Sequence, residues 1–355
     1  MKKFYVLIYL IILVLTSSSI YLILKNNNGN AIYKPLVIKE ESIVKDRKSK
    51  VSLSFAGDCT IGWDPRYEYQ TRFDKYLDDN NGDYSYYFKN FKDYFSEDDL
   101  TIVNLEGQLT TSQNRVEKKF NFKAPTSYVK TLSSGSVEVV SIANNHAYDF
   151  GEEGYVETKN VLDSENILHY GYSDYLIKKV NGINVGFMGM HDIAAVKYEE
   201  AKNGIDYLKE NGAQLIIVSM HWGIEKSYNR TNSEQDMAHY LIDNGVDLVI
   251  GTHPHVIQEI EKFKDKYIVY SLGNFVFGGN QNPQDKDTFV FRQTFNFLND
   301  KLVLDDNIEI IPASVSGKTN TNNYQPIILE GEEKLRVFNK IMKNSTGFSY
   351  SLEQI

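Results

Sequence analysis

The 355-residue chain contains a single cysteine, Cys59. One thiol closes no internal disulfide, so cysteine usage is silent on the redox compartment. A basic surplus is also lacking: 38 Lys and Arg face 47 Asp and Glu, for a net charge of −9. Residues 1–50 hold nine Lys or Arg against three Asp or Glu, a net of +6, which leaves −15 on residues 51–355. So acidic a region argues against nucleic acid as a partner. It also means that a polyanionic substrate needs a local cation, from a metal or from clustered Lys and Arg. There is no internal repeat.

The one long apolar run is at the start. Met1-Lys2-Lys3 precedes residues 4–24, which are almost all apolar, with Ser17-Ser18-Ser19 as a soft spot. About 20 apolar residues span a bilayer, and a cleavable signal has a shorter core. Because the run continues past the serines, an uncleaved anchor is expected over 1–24. Lys2 and Lys3 place the N-terminus inside and the bulk outside the cytoplasm, although Lys25, Lys34 and Lys39 weaken that signal. The expected location is thus a single-pass cell-membrane protein with an extracytoplasmic bulk. Residues 25–50, with Asn26-Asn27-Asn28-Gly29-Asn30 and mixed charge, read as a polar linker.

From residue 51 onward, short apolar strands end in polar residues. The segments 51–56, 100–103, 137–142, 183–188, 214–220, 246–250 and 267–271 read as strands. Residues 154–164 and 233–244 have helical spacing, with Ser233 as expected N-cap of the second. Such alternation predicts a layered α/β fold over 51–283. Residues 284–355 predict a β-rich extension of the same domain. In it, a hairpin (288–297 and 301–312) turns at Asn299-Asp300, a polar loop covers 315–325 and a closing helix covers 332–344. The aromatic stretch around 86–95 predicts an amphipathic helix packed on the sheet.

The strand ends carry the chemistry. Asp58, Glu106, Asn145 with His146, His221, and His253 with His255 fall just after five strands, where open α/β sheets bind ligands. Four of the seven histidines are among them. Mixed nitrogen and oxygen donors of this kind suit Zn, Mn or Fe, with Cu and Ni possible. Asn144 and Asp149 flank the His146 turn, and Asn274 follows another strand as a possible ligand contact. His191 also follows a strand, whereas His169 and His239 lie elsewhere. Arg115, Lys118, Lys119 and Lys123 form a basic run after Glu106 suited to a carboxylate polymer or phosphate. Cys59 is expected to be a small buried residue.

The most specific pieces are G-D at 57–58, N-L-E at 104–106, A-N-N-H-A-Y-D-F-G at 143–151, M-H-W-G at 220–223, G-T-H-P-H at 251–255 and Y-S-L-G-N-F-V-F at 270–277. Together they resemble the poly-gamma-glutamate capsule biosynthesis (CapA-type) family, whose fold is similar to that of calcineurin-like metallophosphoesterases. The resemblance covers about residues 51–345. It implies a four-layer α/β sandwich in which Asp58, Glu106, Asn145, His221, His253 and His255 bind one or two divalent transition-metal ions. It also implies that His146 contacts the substrate oxyanion or protonates the leaving group; Asp149 is the second catalytic candidate, and Asn144, Asn274 and the basic run are the expected substrate contacts. Two departures stand out. The phosphoesterases have Asp-x-His in their first motif, where this chain has Asp58-Cys59-Thr60, and Glu106 stands where they place a bridging aspartate.

The function implied is support of synthesis, export or anchoring of poly-gamma-glutamate or a related anionic polymer, within a membrane complex that includes the polymer synthase. A phosphoesterase acting on a smaller phosphate ester is a second reading, and a non-catalytic polymer-binding subunit is a third.

Overall fold

A computed structural model describes residues 46–192 and 197–351. The expected anchor and most of the linker lie outside the described residues. Among the described residues, no helix is long and apolar enough to cross a membrane.

Two sheets face each other. The first has nine strands, seven of them in the order Ile327–Ile328, Ile308–Ser314, Asp287–Leu298, Lys48–Thr60, Leu100–Leu105, Val139–Ser141 and Leu168–Tyr170. Asn274–Phe277 pairs with the end of Lys48–Thr60, and Lys301–Val303 pairs with Asp287–Leu298. The second sheet runs Ile260–Phe263, Lys266–Val269, Leu248–Thr252, Leu215–Trp222, Ile183–Asp192 and Leu176–Val180. The central strands of both sheets are parallel, from Lys48–Thr60 to Leu168–Tyr170 in one and from Lys266–Val269 to Ile183–Asp192 in the other. Parallel strands covered on both faces read as near-continuous apolar runs, which is how these segments read.

Three cores follow from this stacking. Between the sheets, Leu53, Phe55, Ile102, Phe289 and Phe291 meet Val185, Phe187, Ile217, Ile250 and Val269. Outside the first sheet, Val103, Leu105 and Val140 pack with Phe88, Phe91, Leu132 and Leu162. Outside the second, Met188, Val218 and Val249 pack with Ile205, Leu208, Met237 and Leu241 from the helices Tyr198–Glu210 and Asn232–Asp243. The described residues therefore form a mixed α/β, sheet-rich fold, with further elements packed outside both stacked sheets.

Several local expectations change. Residues 86–95 are not one helix. A 3-10 turn at Tyr84–Tyr86 is followed by a short helix, Lys92–Phe95. The aromatics nevertheless pack: Tyr87 stacks on Phe73 at 4.0 Å and gives its hydroxyl to the Phe73 carbonyl. The 232–243 helix is capped by Thr231 rather than Ser233, because Thr231 and Glu234 form a reciprocal capping box. Helix Tyr198–Glu210 was not anticipated; its stripe of Ala201, Ile205 and Leu208 is narrow and interrupted by Gly204. The hairpin does turn at Asn299-Asp300, both with positive φ (53° and 65°). Its return strand splits, with Lys301–Val303 and Ile308–Ser314 each pairing to Asp287–Leu298. These strands complete the first sheet beside Lys48–Thr60.

Candidate metal centre

The parallel strands of both sheets deliver their polar ends to one place. Asp58 is presented by a bulge, where the register between Lys48–Thr60 and Leu100–Leu105 shifts between Ala56 and Asp58. Gly57 permits it: a Cβ there would lie 2.0 Å from the Gly273 carbonyl oxygen, to which the Asp58 N–H donates at 2.9 Å. His253 and His255 sit on the loop after Leu248–Thr252 with φ of 100° and 57°. Non-glycine residues seldom hold such angles, and strain of this kind clusters at functional sites.

His221 Nε2 is the hub. It lies 2.9 Å from Asn145 Oδ1, 3.1 Å from His253 Nδ1 and 3.6 Å from Glu106 Oε1. Donor atoms sharing one ion at about 2.0–2.2 Å stand roughly 3–3.6 Å apart, so this spacing fits an ion. On the other side of Glu106, His255 Nε2 is 3.8 Å from Oε1, and His255 Nδ1 is 3.3 Å from Asp58 Oδ2. Two donor triplets result, Glu106–His221–His253 and Asp58–Glu106–His255, which share Glu106. All six residues expected as ligands meet here. Glu106 Oε1 is buried without a hydrogen-bond partner, an orphan acceptor aimed between the two triplets.

The surrounding bonds orient the candidate ligands. His221 Nδ1 lies 3.1 Å from Thr252 Oγ1 and 3.3 Å from Asn104 Nδ2; in the tautomer whose Nδ1–H donates to Thr252, Nε2 is the free lone pair. His255 Nδ1–H donates to Asn274 Oδ1 at 2.8 Å, and Asn274 Nδ2 returns a bond to the His255 carbonyl. Asn104 Nδ2 donates to Asp58 Oδ1 at 2.7 Å. Thr60 Oγ1 donates to Glu106 Oε2 at 3.2 Å. Thr60 thus stands where the phosphoesterase motif has its histidine, and it braces the longer carboxylate arm. Cys59 points away and packs in the outer core, where burial pushes its thiol pKa up.

Electrostatics favour a cation. Burial, and then the Asp58 charge, raise the Glu106 carboxyl. Burial opposes charge on His255, yet Glu106 and Asp58 outweigh it and raise that imidazole. Both shifts express one fact: two buried carboxylates attract positive charge into the cluster. By contrast, burial and neighbouring imidazoles lower His221 well below its ordinary value and hold His253 at about 4. Neutral imidazole is the ligating form.

Beside the ligands, His146 Nδ1 is 2.7 Å from Asp149 Oδ2. Asp149 is also bound by the Phe122 N–H at 2.6 Å and by Lys118 Nζ at 2.6 Å. Lys118 Nζ further donates to the Asn145 carbonyl at 2.8 Å. The Phe122 ring packs 4.4 Å from His146. Asn144 binds within the loop: its Nδ2 donates to Asn104 Oδ1 and the Leu105 carbonyl, and its Oδ1 accepts from the His146 N–H. Of the basic run, only Lys118 bonds to this group. Arg115 binds Asn121 and lies 3.7 Å from Asp64, Lys119 covers the Phe120 ring, and Lys123 binds the Ser112 carbonyl. His169 pairs with Asp163, and His239 stacks on Phe263 and pairs with Glu261.

With this geometry in place, likeness to known proteins takes on a definite sense. Residues 52–279 match the family described as bacterial capsule synthesis protein PGA_cap. The chain belongs to that family. The matched span contains all six ligand candidates and the His146–Asp149 pair. A PGA biosynthesis protein, CapA of Bacillus subtilis (strain 168), is 28% identical over 250 residues, covering 64% of this chain and 63% of that protein. The capsule biosynthesis protein CapA of Bacillus anthracis is 26% identical over 263 residues, covering 66% and 62%. The match therefore spans under two thirds of either relative. A solved hypothetical protein from Thermus thermophilus overlaps 74% of this chain and 99% of its own, with 18% identity and a TM-score of 0.46. Within this PGA_cap chain, sequence reasoning missed Thr60, Asn104 and Thr252. Their signal was faint: each is a buried polar residue at the end of an otherwise apolar strand.

Proposed function

We propose that this PGA_cap chain is a membrane-anchored, extracytoplasmic capsule-biosynthesis protein. It supports the making, export or anchoring of poly-gamma-glutamate or a related anionic polymer through a metal-dependent, hydrolase-like site. One observation carries this reading: two donor triplets share the buried, orphaned Glu106 beside a His–Asp pair. The names of the Bacillus relatives supply the polymer, and the apolar residues 4–24 supply the anchor.

Asp58, Glu106 and His255 would hold one divalent ion; Glu106, His221 and His253, with Asn145, would hold a second. A divalent metal in such a site supplies Lewis-acid polarisation of a carbonyl or phosphoryl oxygen. The chain's own residues do the rest. Asp149 fixes the His146 ring through Nδ1 and leaves Nε2 as the nitrogen that meets substrate. From there His146 donates a proton to a leaving group or a hydrogen bond to an oxyanion. Lys118 offsets the Asp149 charge and adds positive potential where an anionic chain approaches. The Phe122 ring covers His146 and limits water on that side.

The test is turnover by the full-length, metal-supplemented chain on poly-gamma-glutamate and on a phosphodiester, paired with capsule yield in cells. Polymer cleavage, or loss of capsule in the His146→Ala strain, supports the reading. Cleavage of the phosphodiester alone, with normal capsule in that strain, would move the function to a phosphoesterase of small esters.

A further inference from the structure

One histidine at the centre belongs neither to a donor triplet nor to the His146–Asp149 pair. His191 ends the strand Ile183–Asp192 and stands in register with His221 on the neighbouring strand, with ring centroids 5.9 Å apart. Its Nε2 is buried and has no hydrogen-bond partner. Buried polar atoms in native structures are nearly always paired, so an orphan beside a functional centre calls for a ligand. The charged groups that act on the ring are Lys197, Lys118 and His146. Among the described residues the ring forms no ion pair with a carboxylate. His191 and His146 also both act on His221 and on His253. Both rings therefore lie close to the His221–His253 pair, His146 after a strand of the first sheet and His191 at the end of a strand of the second. His146 has its carboxylate, Asp149, and His191 pairs with none among the described residues.

We propose that His191 is a substrate-binding residue, whose Nε2–H donates to an anionic oxygen of the substrate held at the centre. The anion is then bracketed by His146 from the first sheet and by His191 from the second. A carboxylate and a phosphoryl group both present such an oxygen. The assignment rests on the reading of the centre as a metal site, and its test separates the two claims.

The full-length chain is supplemented with Mn²⁺, its metal content is measured, and inorganic phosphate and γ-glutamyl-glutamate are titrated in by calorimetry. His191→Ala should keep the wild-type manganese content and melting temperature. It should lose about tenfold in affinity for at least one probe, the scale of one hydrogen bond to a charged group. His191→Gln, which keeps a donor, should recover part of that affinity, and it provides the reading if the alanine variant does not fold. The probe that responds identifies the class of anion. Unchanged affinity for both probes with metal retained would overturn the proposal while leaving the centre intact. Loss of manganese from His191→Ala would also overturn it, by making His191 part of the metal's own support. So would a metal-loaded wild type that binds neither probe. A wild type that takes up no manganese would instead remove the centre itself, and His191's role with it.

Discussion

The Thr60 hydroxyl donates to Glu106 Oε2 at 3.2 Å, while Glu106 Oε1 faces both donor triplets. The longer glutamate arm and the threonine are complementary. The first sheet presents a hydroxyl at this position, and the hydroxyl fixes one oxygen while the other points into the centre.

Thr60→Val keeps the shape of that side chain and removes its donor. Supporting groups of this kind typically contribute about 10–100-fold to metal affinity. The variant should fold normally and bind Mn²⁺ about tenfold more weakly by calorimetry. Equal affinity would show that Glu106 is oriented without Thr60.

His253→Ala and His255→Ala should each lose metal, because each removes a donor from one triplet. His239→Ala should retain it, since His239 stacks on Phe263 away from the cluster. Elemental analysis of the three purified variants decides the matter. Equal retention in all three would dissolve the assignment.

His146→Ala should keep both metal and fold and lose about 10²–10⁴-fold in rate, the usual scale for one general acid or oxyanion donor. Capsule yield reads the same effect in cells. A metal-replete variant with full polymer yield would make the protein a binding subunit.

A pH effect is expected at a carboxylate that is not among the ligand candidates, Asp287. Burial alone would raise its carboxyl, but the Arg336 fork at 2.7 and 2.8 Å and Lys340 at 2.8 Å outweigh burial and lower it. A carboxylate lowered on folding contributes stability above its unfolded pKa of about 3.9, and this is lost as pH falls through the folded value. Arg336 is half exposed, so the contribution is modest, about 1 kcal/mol. Asp287→Asn should be destabilised by that amount at pH 6, and the gap to wild type should narrow in urea titrations as pH falls below the unfolded pKa of about 3.9 and through the lowered folded value. A gap independent of pH would contradict the ion-pair account.

The six ligand candidates stood out in the sequence because each lies at or shortly after the end of an apolar run. An apolar strand that ends in a carboxylate, amide or imidazole has few other uses, and parallel topology brings such ends together. What stayed hidden depended on neighbours across the fold. Thr60 and Asn104 matter only through Glu106 and Asp58, and a lone Thr or Asn gives no sign of such a partner. Lys118 was visible as one cation in a run of four, but only the fold separates it from Arg115, Lys119 and Lys123. The helix Tyr198–Glu210 was obscured by its narrow apolar stripe, and the 86–95 aromatics were misread because rings pack as well from turns as from a helix.

The central claim is that the strand ends of the two sheets form a metal centre bridged by Glu106. Elemental analysis of the full-length chain, purified without chelator and supplemented with Mn²⁺ or Zn²⁺, tests it most directly. Between one and two equivalents of a transition metal are expected for a closed site with these donors, falling sharply in Glu106→Gln, which weakens both triplets together. Less than about 0.2 equivalents in the wild type, or undiminished metal in Glu106→Gln, would contradict the account.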